Sequence, residues 1–192
     1  MARTVARQSL PITSGQPVGA SPDDPLGPRG GQARGAVMAG VFRYLLWHRW
    51  NEELPRLLWV MLNPSTADGN TDDPTMRKCR TFSAAWGYGG FEAVNLFALR
   101  TPYPRALKSA ADPVGSENDR FIAAAAGRAS AIVVAWGNHG TFQRRDRAVL
   151  DLLARDGVRA LLCLGMTRQH SPRHPLYLAG GTSPVRFPPP SD

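Results

Sequence analysis

Two short motifs in this sequence combine residue types that can act on a ligand. Asn63-Pro64-Ser65 follows the apolar run at residues 57–62. A carboxamide fixed there can orient a water molecule or read a base edge, because it offers both donors and an acceptor. His174-Pro175 lies in a loop that also carries His170, and an imidazole can donate a hydrogen bond to a departing group. We expect Asn63 and His174 to be the catalytic residues; the alternative for Asn63 is a structural role in the turn before Pro64.

Further polar residues follow the other apolar runs. Asn95 lies within the apolar residues 93–97, where an unpaired amide would cost roughly 1–3 kcal/mol. It either holds a neighbouring loop or binds a ligand. Arg100 and Tyr103 could take a phosphate and stack a base, or belong to a rigid surface loop. One of Asp68, Asp72 and Asp73 could serve as a base or as a phosphate-side metal ligand.

The turn Trp136-Gly137-Asn138-His139 predicts a helix N-terminus that would favour an anion. Including residues of this turn, the expected substrate-binding residues are Pro64, Ser65, Asp68, Asn95, Arg100, Trp136, Gly137, His139, Arg168, Arg173 and Tyr177. The glycine spacing fits neither a Walker loop nor a dinucleotide turn, so no cofactor is expected. A zinc site built on the histidines lacks an obvious further ligand, so no metal is expected. Gly-x-Ser-x-Gly is absent, which disfavours serine nucleophile chemistry.

Four apolar runs, at residues 57–62, 91–97, 131–136 and 159–164, alternate with helical patterns. This order predicts an α/β three-layer sandwich with a mostly parallel central sheet. Residues 41–50 and 57–62 are expected to form one antiparallel edge hairpin. Asp73 is expected to cap a helix that starts at Pro74, and a capping box is expected at residues 116–119. Because ligands bind beyond the carboxyl ends of parallel strands, the polar loops should meet at one edge.

The tails differ in composition from this region. Residues 1–35 are rich in Gly, Pro and Ser, which predicts a disordered leader. Residues 36–183 are then a single α/β domain, and residues 184–192, with Pro188-Pro189-Pro190, are a flexible tail. The start lacks a secretory signal and no apolar run is long enough for a membrane span, so the cytoplasm is expected, without membrane partners.

The charge favours a polyanionic partner. The net charge is +8 and the pI is near 10.5, values typical of proteins that bind nucleic acid or nucleotides. Nearly all basic residues are Arg and are spread along the chain, which genome composition could also explain. Cys79 and Cys163 form no Cys-x-x-Cys pair and are interpreted as ordinary thiols. The sequence predicts no oligomeric state.

The order of the motifs resembles the family of unknown function DUF1643. The resemblance rests on Tyr44-Leu45-Leu46-Trp47, Leu62-Asn63-Pro64-Ser65-Thr66-Ala67, Asp73-Pro74-Thr75, Val94-Asn95-Leu96, Trp136-Gly137 and His174-Pro175-Leu176-Tyr177. It covers roughly residues 36–178. The family is known mainly from bacterial and phage sequences without an assigned reaction.

Two of these motifs also resemble those of uracil-DNA glycosylases, particularly the mismatch-specific branch. In that family an Asn-Pro turn orients the hydrolytic water, and a late His-Pro-Ser motif stabilises the leaving base and contacts DNA. Asn63-Pro64 and His174-Pro175 resemble these motifs in the same order, with Ser65 in place of the usual Gly and Leu176 in place of Ser.

The resemblance implies a uracil-DNA glycosylase-like fold and a nucleic-acid-directed glycosylase-like or modified-base-processing hydrolase. Arg100, Arg168 and Arg173 would then contact phosphates. Two alternatives remain open: a non-catalytic module that binds a nucleotide or modified base, and an enzyme that acts on free nucleosides or nucleotides.

Overall fold

Seven strands form one mixed sheet in the part of the chain that the computed structural model describes, residues 33–67, 71–155 and 160–189. The strands are β1 (Arg34–Ala39), β2 (Phe42–Arg49), β3 (Arg56–Met61), β4 (Gly90–Asn95), β5 (Ala131–Val134), β6 (Ala160–Cys163) and β7 (Val185–Arg186). Their order in the sheet is β1-β2-β4-β3-β5-β6-β7. Strands β4, β3, β5 and β6 are mutually parallel, whereas β1, β2 and β7 run antiparallel to their neighbours.

Helices cover both faces of this sheet. They are α1 (Pro74–Ala85), α2 (Asn118–Arg128) and α3 (Arg145–Ala154), with 3-10 helices at Pro104–Ser109, Gly137–His139, Phe142–Arg144 and Pro175–Tyr177. Successive residues of β3 point to opposite faces, so Val60 packs in the core with α2 and α3, and Trp59 packs in the core with α1. The expected α/β architecture with a mostly parallel sheet is confirmed. None of the described helices has the length and apolar character needed to cross a bilayer.

The antiparallel edge hairpin exists, but its predicted partner is wrong. Strand β2 pairs with β1 on one side and β4 on the other, and β3 instead lies between β4 and β5. Alternation identifies a strand but not its neighbour, and the pairing is decided by the parallel β3–α1–β4 crossover.

The sheet also extends past the domain limits predicted from composition. Strand β1 begins at Arg34, before the expected start at residue 36, and β7 lies within the segment expected to be a tail. Strand β1 pairs with β2 and β7 pairs with β6, each at an edge of the sheet. Backbone hydrogen bonds form these pairs, and such bonds do not require an apolar sequence. The predicted leader at residues 1–32 and the last residues, 190–192, lie outside the described residues.

The two predicted helix caps have different outcomes. The Asp73 carboxylate accepts a hydrogen bond from Met76 N at 2.9 Å, with Pro74 in the first turn, so the prediction for α1 is confirmed. The capping box before α2 is wrong, since Glu117 makes no side-chain cap bond. Asn118 instead donates to the Asn95 and Leu96 carbonyl oxygens at 3.0 and 3.1 Å. Helix α2 is therefore fastened to the end of β4.

Candidate functional site

The Asn63 carboxamide joins the loops that follow β3 and β4. Its Nδ2 donates to the carbonyl oxygens of Thr101 and Pro64 at 2.8 and 2.9 Å, and Thr101 N donates to the same Pro64 oxygen at 2.9 Å. Pro64 is buried, and Ser65 is half-buried beside it. Both contacts of Asn63 use its nitrogen, which leaves the oxygen Oδ1 for another donor. Asn63 thus has the structural role in the turn that was considered from the sequence, and its Oδ1 is still available as a hydrogen-bond acceptor.

Asn95 is a buried amide at the carboxyl end of β4. It is 1% exposed, and neither Nδ2 nor Oδ1 has a hydrogen-bond partner among the described residues. Its neighbours Val94 and Leu96 pack on the α2 and α3 face, so alternation directs the Asn95 side chain to the α1 face. Of the two roles considered from the sequence, holding a neighbouring loop does not fit these contacts.

The backbone that carries Asn95 is held firmly from the opposite face. Besides the two bonds from Asn118, Arg145 Nε donates to the Leu96 carbonyl oxygen at 2.8 Å. Arg145 is itself buried and ion-paired with Asp119. Two helices therefore fix the position of β4 at the point where the buried, unpartnered Asn95 side chain is directed to the other face.

Arg43 is a site residue that the sequence analysis missed. This guanidinium is 1% exposed, and its NH1 donates to the Ala67 carbonyl oxygen at 2.6 Å. Ala67 packs in the α1 core and belongs to the loop that begins with Asn63. The available signal was a charged residue within an otherwise apolar strand, since buried Arg is rare and needs polar partners.

A second anchor of the same loop is Asp72, which the sequence analysis considered as a base or metal ligand and not as a structural support. Asp72 Oδ1 lies 3.0 Å from both Arg34 NH2 and His48 Nε2. Burial lowers the pKa of His48, and Arg34 and Arg80 act in the same direction, whereas Asp72 opposes the shift. Strands β1 and β2 thus hold the loop after β3 through both Asp72 and Ala67.

His174 lies on the α1 side of the same edge. Its Nδ1 accepts a long hydrogen bond from Leu176 N at 3.4 Å, and its ring lies 5.9 Å from the Tyr177 ring. Burial lowers the pKa of His174, and the nearby Asp73 carboxylate partly opposes this shift. The following 3-10 helix packs on α1, where Lys78 Nζ donates to the Leu178 carbonyl oxygen at 2.8 Å. His174 therefore faces the amino end of α1 as a neutral imidazole at pH 7.

The two expected catalytic residues share one edge of the sheet. Asn63 follows β3 and His174 follows β6, and these parallel strands are separated by β5 alone, or roughly 10 Å. Asp73 connects the two regions, since it ends the loop that starts at Asn63 and influences His174. The polar carboxyl-end loops therefore meet as expected from a parallel sheet.

The turn after β5 differs from the expectation. Trp136 is only 4% exposed and packs in the core beside Phe187, so it lies inside the fold and not on the site surface. Gly137 and exposed His139 form a short 3-10 helix, and the α-helix begins only at Arg145. The predicted α-helix N-terminus at this turn is therefore wrong.

The remaining expected residues lie around the site. Arg168 and Arg173 are exposed on the loop after β6, and Tyr177 is 81% exposed. Arg100 is half-buried after β4, with its Nε lacking a partner among the described residues. Asp68 lies outside the described residues. Across the described ranges, no group of three or more His, Cys, Asp or Glu could hold a metal ion.

Lowering the pH is expected to destabilise the fold through His48 and His174. Burial lowers the pKa of both imidazoles, so the unfolded chain binds protons more readily than the native protein. Their contribution is complete above the unfolded pKa of about 6.5 and decreases as the pH falls through it toward the lowered native values. Urea unfolding between about pH 7.5 and pH 5.5 measures this slope. An equally steep slope in the double variant His48→Gln/His174→Gln would contradict the assignment.

One comparison with known proteins gives a match. The family model described as "Protein of unknown function (DUF1643)" matches residues 43–176, a range that includes Arg43, Asn63, Asn95 and His174. No similar curated protein and no similar solved structure were found.

Proposed function

Because the chain belongs to the DUF1643 family, whose description assigns no reaction, we propose a function from the site itself. The protein is a nucleic-acid-directed hydrolase, glycosylase-like or modified-base-processing, that holds a base at the carboxyl edge of its parallel sheet. The observation that carries this proposal is the unpartnered Asn95 carboxamide.

A buried amide without partners opposes folding, by about 1–3 kcal/mol. Such groups are rare in native proteins and occur at functional sites or where a water molecule or ion binds. A carboxamide presents a donor and an acceptor side by side, which is the pattern that the edge of a nucleobase complements. The anchored backbone of β4 keeps this amide in place before a ligand arrives.

Asn63 then has the role of orienting water. Its Nδ2 is held by the Thr101 and Pro64 carbonyl oxygens, so the direction of Oδ1 is fixed. A fixed acceptor receives a hydrogen bond from a water molecule and so turns the oxygen lone pair of that water toward the bond to be cleaved. The buried Arg43, through Ala67, and the Asp72 anchor keep the loop in place.

His174 has the role of assisting the leaving base. Because Nδ1 accepts from Leu176 N, the proton of the neutral ring belongs on Nε2. That N–H can donate to an oxygen of the departing base, on which negative charge develops. A base within a duplex would have to leave the stack to reach these groups.

The same proposal includes the finer fold assignment. The Asn63-Pro64 and His174-Pro175 motifs each follow a parallel strand and lie at one edge, which supports a uracil-DNA glycosylase-like sandwich. Ser65 and Leu176 depart from that family's pattern, so the proposal is not restricted to uracil.

Release of free base tests this function. The protein is incubated with oligonucleotides that contain a panel of altered bases, and liberated base is detected by mass spectrometry. We expect release of at least one base by the wild type and none by Asn63→Ala, which loses the oriented acceptor. Asn63→Ala also loses two hydrogen bonds and should unfold about 1–2 kcal/mol more easily while remaining folded. Absence of release from every oligonucleotide, or an unchanged rate in Asn63→Ala, would contradict the proposal.

One observation favours a second candidate, a non-catalytic module that binds a modified base or nucleotide. The Asn63 amide nitrogen is fully engaged with backbone carbonyls, as in a purely structural turn. Such a module binds the altered oligonucleotide, releases nothing, and keeps its affinity in Asn63→Ala. An enzyme for free nucleosides or nucleotides would instead turn over the small substrate, with DNA affinity almost absent at every salt concentration.

A further inference from the structure

Three segments within the loops that follow β4, β5 and β6 carry charge of one sign. Residues 96–111, 135–145 and 164–184 contain no Asp or Glu. Their exposed cations are Arg105, Lys108, Arg144, Arg168 and Arg173. We refer to these three segments as the cationic rim. Since all three follow parallel strands, the rim borders the edge that holds Asn63 and His174.

The named cations of the rim have no carboxylate partner among the described residues. In the loop after β3, Asp72 is paired with Arg34 and His48, and Asp73 is buried as the cap of α1. Before and within the first turn of α2, Asp112 accepts hydrogen bonds from Val114 N and Gly115 N, Glu117 pairs with Arg120, and Asp119 pairs with Arg145. These carboxylates are therefore engaged elsewhere, and the rim cations remain available to a ligand.

Two tyrosine rings lie on the cationic rim. Tyr103 and Tyr177 are 72% and 81% exposed, more than any other aromatic side chain in the described ranges. Tyr103 follows Thr101, whose carbonyl oxygen holds Asn63, and the Tyr177 ring lies 5.9 Å from that of His174. Each ring has a large free surface close to one of the two proposed catalytic residues.

We propose that the cationic rim binds a single strand of nucleic acid, with unpaired bases stacked on Tyr103 and Tyr177 and phosphates against the Arg and Lys side chains. The inference rests on the proposed function, since it names the strand form that presents a base to that site. Free ring faces together with cations are the pattern that binds unpaired strands. In a duplex the base faces are covered by their neighbours, so the exposed rings would gain no stacking.

Fluorescence anisotropy with unmodified oligonucleotides tests this inference. A labelled single-stranded DNA, the RNA of the same sequence and the matching DNA duplex are titrated at several salt concentrations. We expect at least tenfold tighter binding of the single-stranded DNA than of the duplex. The RNA arm decides which of the two single strands is preferred. Equal or tighter duplex binding, or no binding of either single strand, overturns the proposal.

Variants of the rings and charges give the matched controls. Tyr103→Ala/Tyr177→Ala should weaken single-strand binding at least tenfold, whereas Tyr103→Phe/Tyr177→Phe keeps the ring faces and most of the affinity. Arg105→Glu/Arg168→Glu should weaken binding and reduce its salt dependence. Arg155→Glu reverses a single charge at the other end of α3, away from the rim, and should have little effect. Wild-type affinity in the double alanine variant overturns the proposal.

Failure of this inference is distinguishable from failure of the proposed function. The oligonucleotides contain no altered base, so binding is measured without any reaction. Single-strand binding that depends on the two rings would support the proposed binding surface. If no altered oligonucleotide then releases a base, the proposed hydrolase function is contradicted while the surface remains supported. Base release that is unchanged in Tyr103→Ala/Tyr177→Ala would support the hydrolase and contradict the strand-binding surface.

Discussion

Replacing Asn95 by leucine is expected to raise the free energy of unfolding by about 1–3 kcal/mol and to abolish ligand binding. Leucine has nearly the shape of asparagine but no polar atoms. The substitution therefore removes the penalty for two buried atoms without hydrogen-bond partners. The same change removes the donor and acceptor that a base would need, and discrimination through such groups reaches about four orders of magnitude. Gain of stability together with loss of function is characteristic of a residue retained for its ligand.

Asn118→Leu is the matched control for this prediction. Asn118 is also a buried asparagine whose Oδ1 has no partner among the described residues, but its Nδ2 donates to two backbone carbonyl oxygens of the β4 end. Its replacement should lower the free energy of unfolding by about 1–3 kcal/mol, because those carbonyl groups lose a donor. Urea unfolding of both variants measures the difference. Destabilisation by Asn95→Leu equal to that by Asn118→Leu would indicate that Asn95 has a structural partner.

Replacing His174 by alanine is expected to lower the rate constant of base release by a hundredfold to a thousandfold, the usual effect of removing one donor to a developing negative charge. Protonation at Nδ1 removes the acceptor for Leu176 N that orients the ring, so the wild-type rate should decrease as the pH falls through the native pKa of His174, which burial holds below its ordinary value. In His174→Ala this dependence should disappear. Single-turnover kinetics with a substrate oligonucleotide from the altered-base panel, from pH 5 to pH 8, measures both effects.

His170→Asn provides the control for His174. His170 lies in the same loop and is exposed, and its φ of 53° is a conformation that asparagine tolerates better than most residues. We expect the rate and its pH dependence to remain those of the wild type. If His170→Asn lowers the rate as much as His174→Ala, the loop as a whole is responsible and the specific role of His174 is wrong.

The local features of this fold could be predicted from the sequence. The apolar runs predicted the strands β3 to β6, and Asp73-Pro74 predicted the start of α1. Both predictions were possible because each signal depends only on residues that are neighbours in the sequence. Placement of Asn63, Asn95 and His174 at one edge followed from parallel topology. That edge could be predicted without knowing the order of the strands.

The remaining features depend on tertiary contacts that no local pattern encodes. The partners of β2 are β4 and β1, and the first two residues of β1 fell within the predicted leader. Arg43 and Asp72 became recognisable as supports of the site loop only through Ala67, Arg34 and His48.

The roles of Asn95 and Trp136 also depend on tertiary contacts that the sequence does not show. Asn95 was recognisable as a polar residue in an apolar strand, but whether its amide has a partner depends on the packed surroundings. Trp136, expected at the site, completes the core instead, because its ring packs beside Phe187 and the core of the α2 and α3 face. A sequence pattern identifies a buried position more readily than the group it faces.

Nuclear magnetic resonance of the Asn95 side chain tests the central claim most directly. The two amide proton signals of ¹⁵N-labelled protein are assigned by their loss in Asn95→Leu and followed during titration with nucleobases, nucleosides and oligonucleotides that contain altered bases. We expect a saturable shift of the Asn95 signals with at least one of these ligands, while the Asn118 side-chain signals stay in place. Asn95 signals that do not move with any ligand that binds would contradict the account.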